Sequence, residues 1–256
     1  MINKQMMTIV AKDDIAKDTI EMKLLGSVNL NSAEPGQFVH INVGNSTSNM
    51  LRRPISIADV NKDQQTITII FKVIGSGTDQ LRKCVIGDDL DVLVPCGKGY
   101  PIDNLPATRA LLIGGGIGVP PLYYLAKQLH EKGVEVTSIL GFQTKDNVFY
   151  HSEFEEFGSC HIVTDDGSYG FKGYVTDVLD NENIDFDYFF SCGPTGMLKA
   201  VSNKLEHKKG YISIEQRMGC GIGACYACVV PTNDQSGGFK KICKDGPVFR
   251  VNEVVL

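Results

Sequence analysis

Four cysteines constrain this chain more tightly than any other feature. Cys220, Cys225 and Cys228 lie within nine residues, and Cys243 follows after fourteen intervening positions. Gly219, Gly221 and Gly223 alternate with them, where a Cβ would obstruct close approach of the backbone, and Ala224 and Ala227 keep the remaining bulk low. From Ile212 onward no amphipathic helix of useful length is legible. A segment of this size buries little apolar surface, so a metal staple is expected to hold it. The other four cysteines, Cys84, Cys96, Cys160 and Cys192, are dispersed and read as buried thiols rather than disulfides.

The loop has the form C-x4-C-x2-C followed by a distant fourth cysteine, the spacing of plant-type [2Fe–2S] proteins. Four thiolates around such a core concentrate negative charge where water is scarce. A tight glycine-rich loop answers this by aiming main-chain N–H groups at the sulfurs. Structural zinc is the competing reading, although zinc usually takes two short ligand pairs separated by a dozen or more residues. Cys220, Cys225, Cys228 and Cys243 are thus the expected metal ligands.

Upstream, the first hundred residues carry six runs rich in Val, Ile, Thr and Phe, among them TIEMKLL, GQFVHINV and TITIIFKVI, with Pro-Gly, Gly-Asn and Gly-Ser-Gly between runs. This spacing predicts a small antiparallel barrel. Beyond Pro101–Pro106 the order changes to alternating strands and helices, from ALLIGG and PPLYYLAKQLHEKG to DYFFSCG and PTGMLKAVSNKLEHKKG. That order predicts a parallel sheet with both faces covered. The expected fold class is a β barrel plus α/β, with units at 1–102, 103–212 and 213–256.

Two glycine-rich places point to nucleotide binding. Gly114, Gly115, Gly116 and Gly118 follow a buried strand and open a helix whose first turn holds Pro120 and Pro121. There, main-chain N–H groups can meet a diphosphate at the positive end of the helix dipole. Cys192, Gly193 and Pro194 end a later strand, at the carboxyl edge where open α/β sheets bind ligands. Taken alone, either is also readable as a structural turn. Asp165 and Asp166 disfavour a 2′-phosphate and lean the reading toward NAD(H), with Lys145 as a possible counterweight. In the barrel, Arg53-Pro54-Ile55-Ser56 enters a strand, and Gly75-Ser76-Gly77-Thr78 precedes a short helix. An arginine and a helix N-terminus together can grip the two ends of a flavin diphosphate; separately they are a turn and an N-cap.

Charge narrows the partners. A formal net charge of −5 spread without long runs argues against nucleic acid or an anionic membrane. Neither the first residues nor Ala110–Ala126 have the form of a leader or a membrane span, because the latter holds four glycines and two adjacent prolines. A cytoplasmic location is expected.

With these residues assembled, the chain resembles the ferredoxin–NADP+ reductase superfamily: barrel, R-P-I-S, GGGIGVPPL and CGP come in that order. RMGCGIGACYACVV closely resembles the electron-transfer subunits of type B dihydroorotate dehydrogenase. The resemblance covers the whole chain, and the cysteine loop is its most specific part. It implies FAD on the barrel, along Arg53, Pro54, Ile55 and Ser56, with Ile70, Phe71, Lys72, Gly77 and Thr78 nearby. Ser56 would hydrogen-bond the reactive edge of the flavin. NAD(H) would sit on Gly114–Gly118 and Cys192–Pro194, with the [2Fe–2S] cluster in the cysteine loop. Ile55 stands where the broader superfamily often has an aromatic, and no terminal aromatic is present to cover the flavin.

The resemblance further implies a function in pyrimidine biosynthesis. A separate FMN-bearing catalytic subunit would oxidise dihydroorotate, two copies of each chain forming the complex. Electrons would pass through the cluster to FAD and on to NAD+. No acid or base for dihydroorotate is expected on this chain, so no catalytic residue is assigned. The exposed-looking loop around Cys225 and Tyr226 is the expected meeting place with that partner. Competing readings are a reductase subunit of a hydrogenase or transhydrogenase, a standalone oxidase or dye reductase, and a zinc-stapled binding protein without redox activity.

Overall fold

The structure is a computed structural model describing residues 2–26, 30, 32–44, 49–103, 105–234 and 237–256. Six strands, β1 (Asn3–Ala16), β2 (Thr19–Leu25), β3 (Phe38–Ile41), β4 (Arg53–Asn61), β5 (Thr66–Lys72) and β6 (Asp89–Cys96), close into an antiparallel barrel in the order β1-β2-β5-β4-β3-β6. Alternation builds its interior. Ile20, Met22 and Leu24 of β2 point inward, as do Ile67, Ile69 and Phe71 of β5. Helix α1 (Ser76–Lys83) is laid between β5 and β6, with Leu81 plugged into the same core.

The second layer is a seven-stranded sheet of strands in the order β10 (Phe171–Lys172), β9 (Gly158–Thr164), β8 (Glu135–Phe142), β7 (Arg109–Gly115), β11 (Tyr188–Cys192), β12 (Gly210–Ser213) and β15 (Val248–Arg250). Its centre is β7, buried from Ala110 onward because helices cover both faces. β8, β9 and β10 lie to one side, β11 and β12 to the other. The helices are α2 (Val119–Glu131), α3 (His151–Glu155), α4 (Val175–Asn181) and α5 (Thr195–Lys204). The hydrophobic stretch at 110–126 is therefore a strand, a turn and a helix. No helix among the described residues is long and apolar enough to cross a membrane.

The C-terminal segment contains the hairpin β13 (Val229–Pro231) with β14 (Phe239–Lys241), the single turn α6 (Ile242–Asp245) and β15 (Val248–Arg250). β15 pairs antiparallel with β12, Tyr211 against Arg250 and Ser213 against Val248. The expected boundary at 212/213 thus falls inside β12, and the last strand belongs to the nucleotide-type sheet. The helix expected to run to Gly210 ends at Lys204, and Gly210 opens β12.

Barrel and sheet are joined by α2, which packs on β4. Lys127 pairs with Asp59 at 2.9 Å, the Tyr124 hydroxyl donates to the Ala33 carbonyl at 3.1 Å, and the Tyr150 hydroxyl donates to Glu21. The Gly116–Gly118 turn is thereby brought beside β5.

Candidate functional site

A cleft of about 650 Å³ runs between the barrel and the carboxyl edge of the sheet. Gly115, Gly116, Gly118, Gly193 and Pro194 line it, joined by Lys72 from the barrel and by Asp165. The two glycine motifs, 74 residues apart or more, meet directly here: a Cβ on Gly118 would lie 2.3 Å from the Cys192 carbonyl oxygen and 2.5 Å from the Gly193 nitrogen. Gly116, at φ +53°, has nothing within 4 Å on its Cβ side, so its backbone borders open space. The proline-bearing first turn of α2 follows at once, as the sequence predicts.

Other expected residues are set back from the cleft. Gly114 packs against Val119, Leu122 and Leu140. Cys192 is fully buried, its thiol pushed up by burial and then by the nearby Glu215 carboxylate. Ile70 is packed in the core beneath α2 and Phe71 in the barrel core. Asp166 is folded into a turn, accepting from the Ser168 hydroxyl at 2.6 Å, which leaves Asp165 as the acidic group of that pair on the cleft.

In the barrel the two expected anion grips converge. The Arg53 guanidinium lies across Gly77, where a Cβ would meet Nε at 2.0 Å. Arg53 also donates to Asn49 Oδ1 at 3.0 Å, and Ser76 donates to that same oxygen at 3.1 Å. Thr78 turns its hydroxyl back to accept from the Ile74 and Gly75 N–H groups at 3.0 and 3.2 Å. It therefore shapes the loop entering α1. Pro54 and Ile55 continue the strand opposite His40 and Val39.

Ser56 opens onto a residue that the sequence did not single out. Its hydroxyl donates to Glu215 Oε1 at 3.5 Å, across 159 residues of chain. Glu215 follows β12 and lines the cleft. It is open to the cleft yet ringed by protein, and this environment raises its carboxyl to about 7 even though the Ser56 bond works in the opposite direction. Nothing in the local sequence distinguishes this glutamate from a surface one; its strand and its partner do.

The cysteine loop shows two sulfur pairs. Cys220 N–H points at Cys225 Sγ (3.5 Å) and Cys225 N–H at Cys220 Sγ (3.3 Å), while Cys243 N–H points at Cys228 Sγ (3.5 Å). Gly223 N–H, at φ +82°, adds a bond to Cys243 Sγ at 3.2 Å. Burial works to raise the Cys220 thiol, but main-chain N–H groups, led by that of Cys225, outweigh it and hold the thiol near 6. Cys243 lies deeper and is pushed up to about 12 by burial, then by the Cys228 thiol. Among the described residues no three His, Cys, Asp or Glu side chains are set to hold a single ion. Two pairs with N–H groups aimed at sulfur suit a binuclear iron–sulfur core better than one tetrahedral zinc.

Comparison with known proteins decides the family. The profile described as "Iron-sulfur cluster binding domain of dihydroorotate dehydrogenase B" matches residues 215–255, and "Oxidoreductase NAD-binding domain" matches residues 112–203. Relatives named "Dihydroorotate dehydrogenase B (NAD(+)), electron transfer subunit" are 50% identical in Bacillus cereus (strain G9842) and 49% in Geobacillus kaustophilus (strain HTA426), with all of both chains covered. The chain belongs to the dihydroorotate dehydrogenase B electron transfer subunit family. A solved NADH-dependent reduced ferredoxin–NADP oxidoreductase, described in connection with flavin-based electron bifurcation, is 35% identical, with a TM-score of 0.87 over 97% of this chain and 89% of that one. The FAD/NAD-binding domain of a nitric oxide dioxygenase from Vibrio cholerae, at 17% identity and TM-score 0.68 over 79% and 92%, shares the fold. Within this family the cysteine loop is the part matched by the iron–sulfur profile, and the glycine cleft lies in the NAD-binding match.

Proposed function

We propose that this chain is the electron-carrying, NAD-reducing subunit of a dihydroorotate dehydrogenase, working in pyrimidine biosynthesis beside a separate catalytic subunit that bears FMN. Two copies of each chain are proposed for the complex. The observation that carries this reading is the paired-sulfur loop packed against the same barrel that contributes Lys72 to the glycine cleft. Bound in these places, [2Fe–2S], FAD and NAD+ would supply single-electron carriage, conversion between one- and two-electron chemistry, and hydride acceptance.

The residues divide the work. Cys220, Cys225, Cys228 and Cys243 would hold the cluster, with the N–H groups of Gly223, Cys225 and Cys243 offsetting its charge. Arg53 and Gly77 would hold the flavin diphosphate, while Ser56, tied to Glu215, keeps a hydroxyl at the cleft. Gly115, Gly116, Gly118, Gly193 and Pro194 would seat the dinucleotide, and Asp165 would favour a free ribose over a 2′-phosphate.

For the partner, the outer face of the loop is the proposed contact. Tyr226 is 64% exposed, Ile222 50% and Phe239 53%. Tyr226 is held edge-on by Phe239 at 5.5 Å and capped by Lys241 Nζ at 4.1 Å. An exposed aromatic held in this way beside Cys225 suits an interface anchor.

Iron, acid-labile sulfide and flavin analysis of the pure chain tests the reading. Iron with sulfide and FAD is expected. One zinc without flavin would replace it with the stapled binding protein, and reduction by hydrogen or ferredoxin without any dihydroorotate-dependent activity would favour the hydrogenase or transhydrogenase kinship.

A further inference from the structure

Of the five histidines only His40 is buried, at 0% exposure in the middle of β3. Val39 and Ile41 point into the barrel core. Alternation sends His40 and Phe38 to the other face, and there Phe38 joins the apolar cluster that contains Cys228 and Cys243. The outer face of β3 is therefore roofed by the cysteine loop. Along the sheet, His40 stands opposite Pro54 of the Arg53–Ser56 strand.

The contact on the roof side is close and specific. Gly221, the residue after Cys220, lies flat on the imidazole: a Cβ there would sit 2.1 Å from Nδ1, 2.7 Å from Cε1 and 2.9 Å from Cγ. With φ at +70°, Gly221 is also in the left-handed region. Both ring nitrogens are buried, and the groups that flank them are the main chains of Arg52 and Cys220, each an acceptor that favours a ring N–H. A fully apolar side chain would fill the same space without burying two polar atoms that need partners, so packing alone does not account for histidine here.

The needs of the loop do account for it. Its N–H groups at Cys220, Gly223 and Cys225 are committed to sulfur. Where its carbonyls are turned away from water they need donors from elsewhere in the fold. Lys241 Nζ provides one for the Gly223 carbonyl at 2.8 Å. His40 occupies the corresponding place beside Cys220.

We propose that His40 is a positioning residue: from the flavin strand its ring N–H holds the first ligand turn, Cys220–Gly221, and so fixes the placement of the cluster relative to Arg53–Ser56. The inference rests on the assignment of this loop to the cluster and of β4 to the flavin. It adds a residue that touches neither a thiolate nor the nucleotide cleft.

The test uses the full-length, cofactor-loaded chain carrying His40→Leu or His40→Gln. Three quantities are read: the electron paramagnetic resonance spectrum of the reduced cluster, its reduction potential, and the rate of electron transfer between flavin and cluster after rapid mixing with NADH. In His40→Leu the spectrum and the potential are expected to shift, and transfer to slow by about tenfold or more, the usual scale for losing a supporting hydrogen bond around a metal centre. Flavin reduction by NADH should stay near the wild-type rate. His40→Gln keeps an N–H donor and should recover most of the loss. An unchanged spectrum, potential and transfer rate in His40→Leu would overturn the proposal, and so would a glutamine variant no better than leucine. Should His40→Leu fail to retain flavin, Gly221→Ala pushes on the ring from the opposite side. It is expected to shift the cluster spectrum while the flavin spectrum holds, and an unshifted cluster would again overturn the role. A wild-type chain without iron, sulfide or flavin would instead sink the functional assignment itself, so the two failures are distinct.

Discussion

Gly118 and Cys192 touch backbone to backbone, so closely that a single added methyl would lie 2.3 Å from the Cys192 carbonyl oxygen. Neither side can yield cheaply. Gly118 is the last residue before α2, and Cys192 ends a central strand hydrogen-bonded to β7 and β12. Gly118→Ala is therefore expected to pry the two nucleotide loops apart. Catalytic efficiency with NADH should fall by about tenfold or more, the cost of a small misplacement in a positioning element. Stopped-flow reduction of the bound flavin measures it, and a fall in Tm should accompany it.

Cys225 pairs with Cys220 through reciprocal N–H to sulfur bonds and lies beside exposed Tyr226. Cys225→Ser should remove the iron–sulfur spectrum while leaving flavin bound and reducible by NADH. Electron exchange with the catalytic subunit should be lost. Unchanged turnover of the complex would show that the cluster lies off the path.

Glu215 gives a pH signature with a definite sign. Its carboxyl is raised from 4.5 to about 7 because the protein ringing the cleft disfavours the charged form, although the residue itself opens onto the cleft. The folded chain therefore keeps a proton that the unfolded chain releases between these values. The stability associated with that proton is fully present below pH 4.5 and is lost as pH rises through about 7. Glu215→Gln should remove this component from the profile of Tm against pH, making it flatter between 4.5 and 7. A variant with the wild-type slope would mean that another group is responsible.

Much of this architecture is legible in the sequence because it rests on local signals. The six barrel runs are rich in Val, Ile, Thr and Phe and are bounded by turn residues, β7 is a nearly unbroken apolar run, and the cysteine spacing needs no tertiary context. What escaped depends on pairings between distant residues. β15 has only three residues and no periodicity, and it is a strand because β12 offers an edge. Glu215 gains its role from Ser56, and His40 from Gly221, each across more than 150 positions. In FVHI a histidine reads as filler until the loop that covers it is known. Phe71, expected near the cofactor, turns its side chain into the barrel core.

The outer face of the cysteine loop should carry part of the partner affinity. Tyr226→Ser removes the exposed ring that Phe239 and Lys241 hold in place. Binding to the catalytic subunit is expected to weaken by about tenfold or more, as for truncation of an aromatic anchor. The cluster spectrum should be unaltered, and titration calorimetry against the isolated partner reads the change.

This chain connects dihydroorotate oxidation on another subunit to NAD+. The most direct test is reconstitution of the pure, cofactor-loaded chain with the purified catalytic subunit, following NADH formation with dihydroorotate as the only donor. NADH should appear when both chains are present, and should fail to appear with either chain alone or with Cys225→Ser. NADH formed by the catalytic subunit alone at the same rate, or none formed by the assembled pair, would contradict the account.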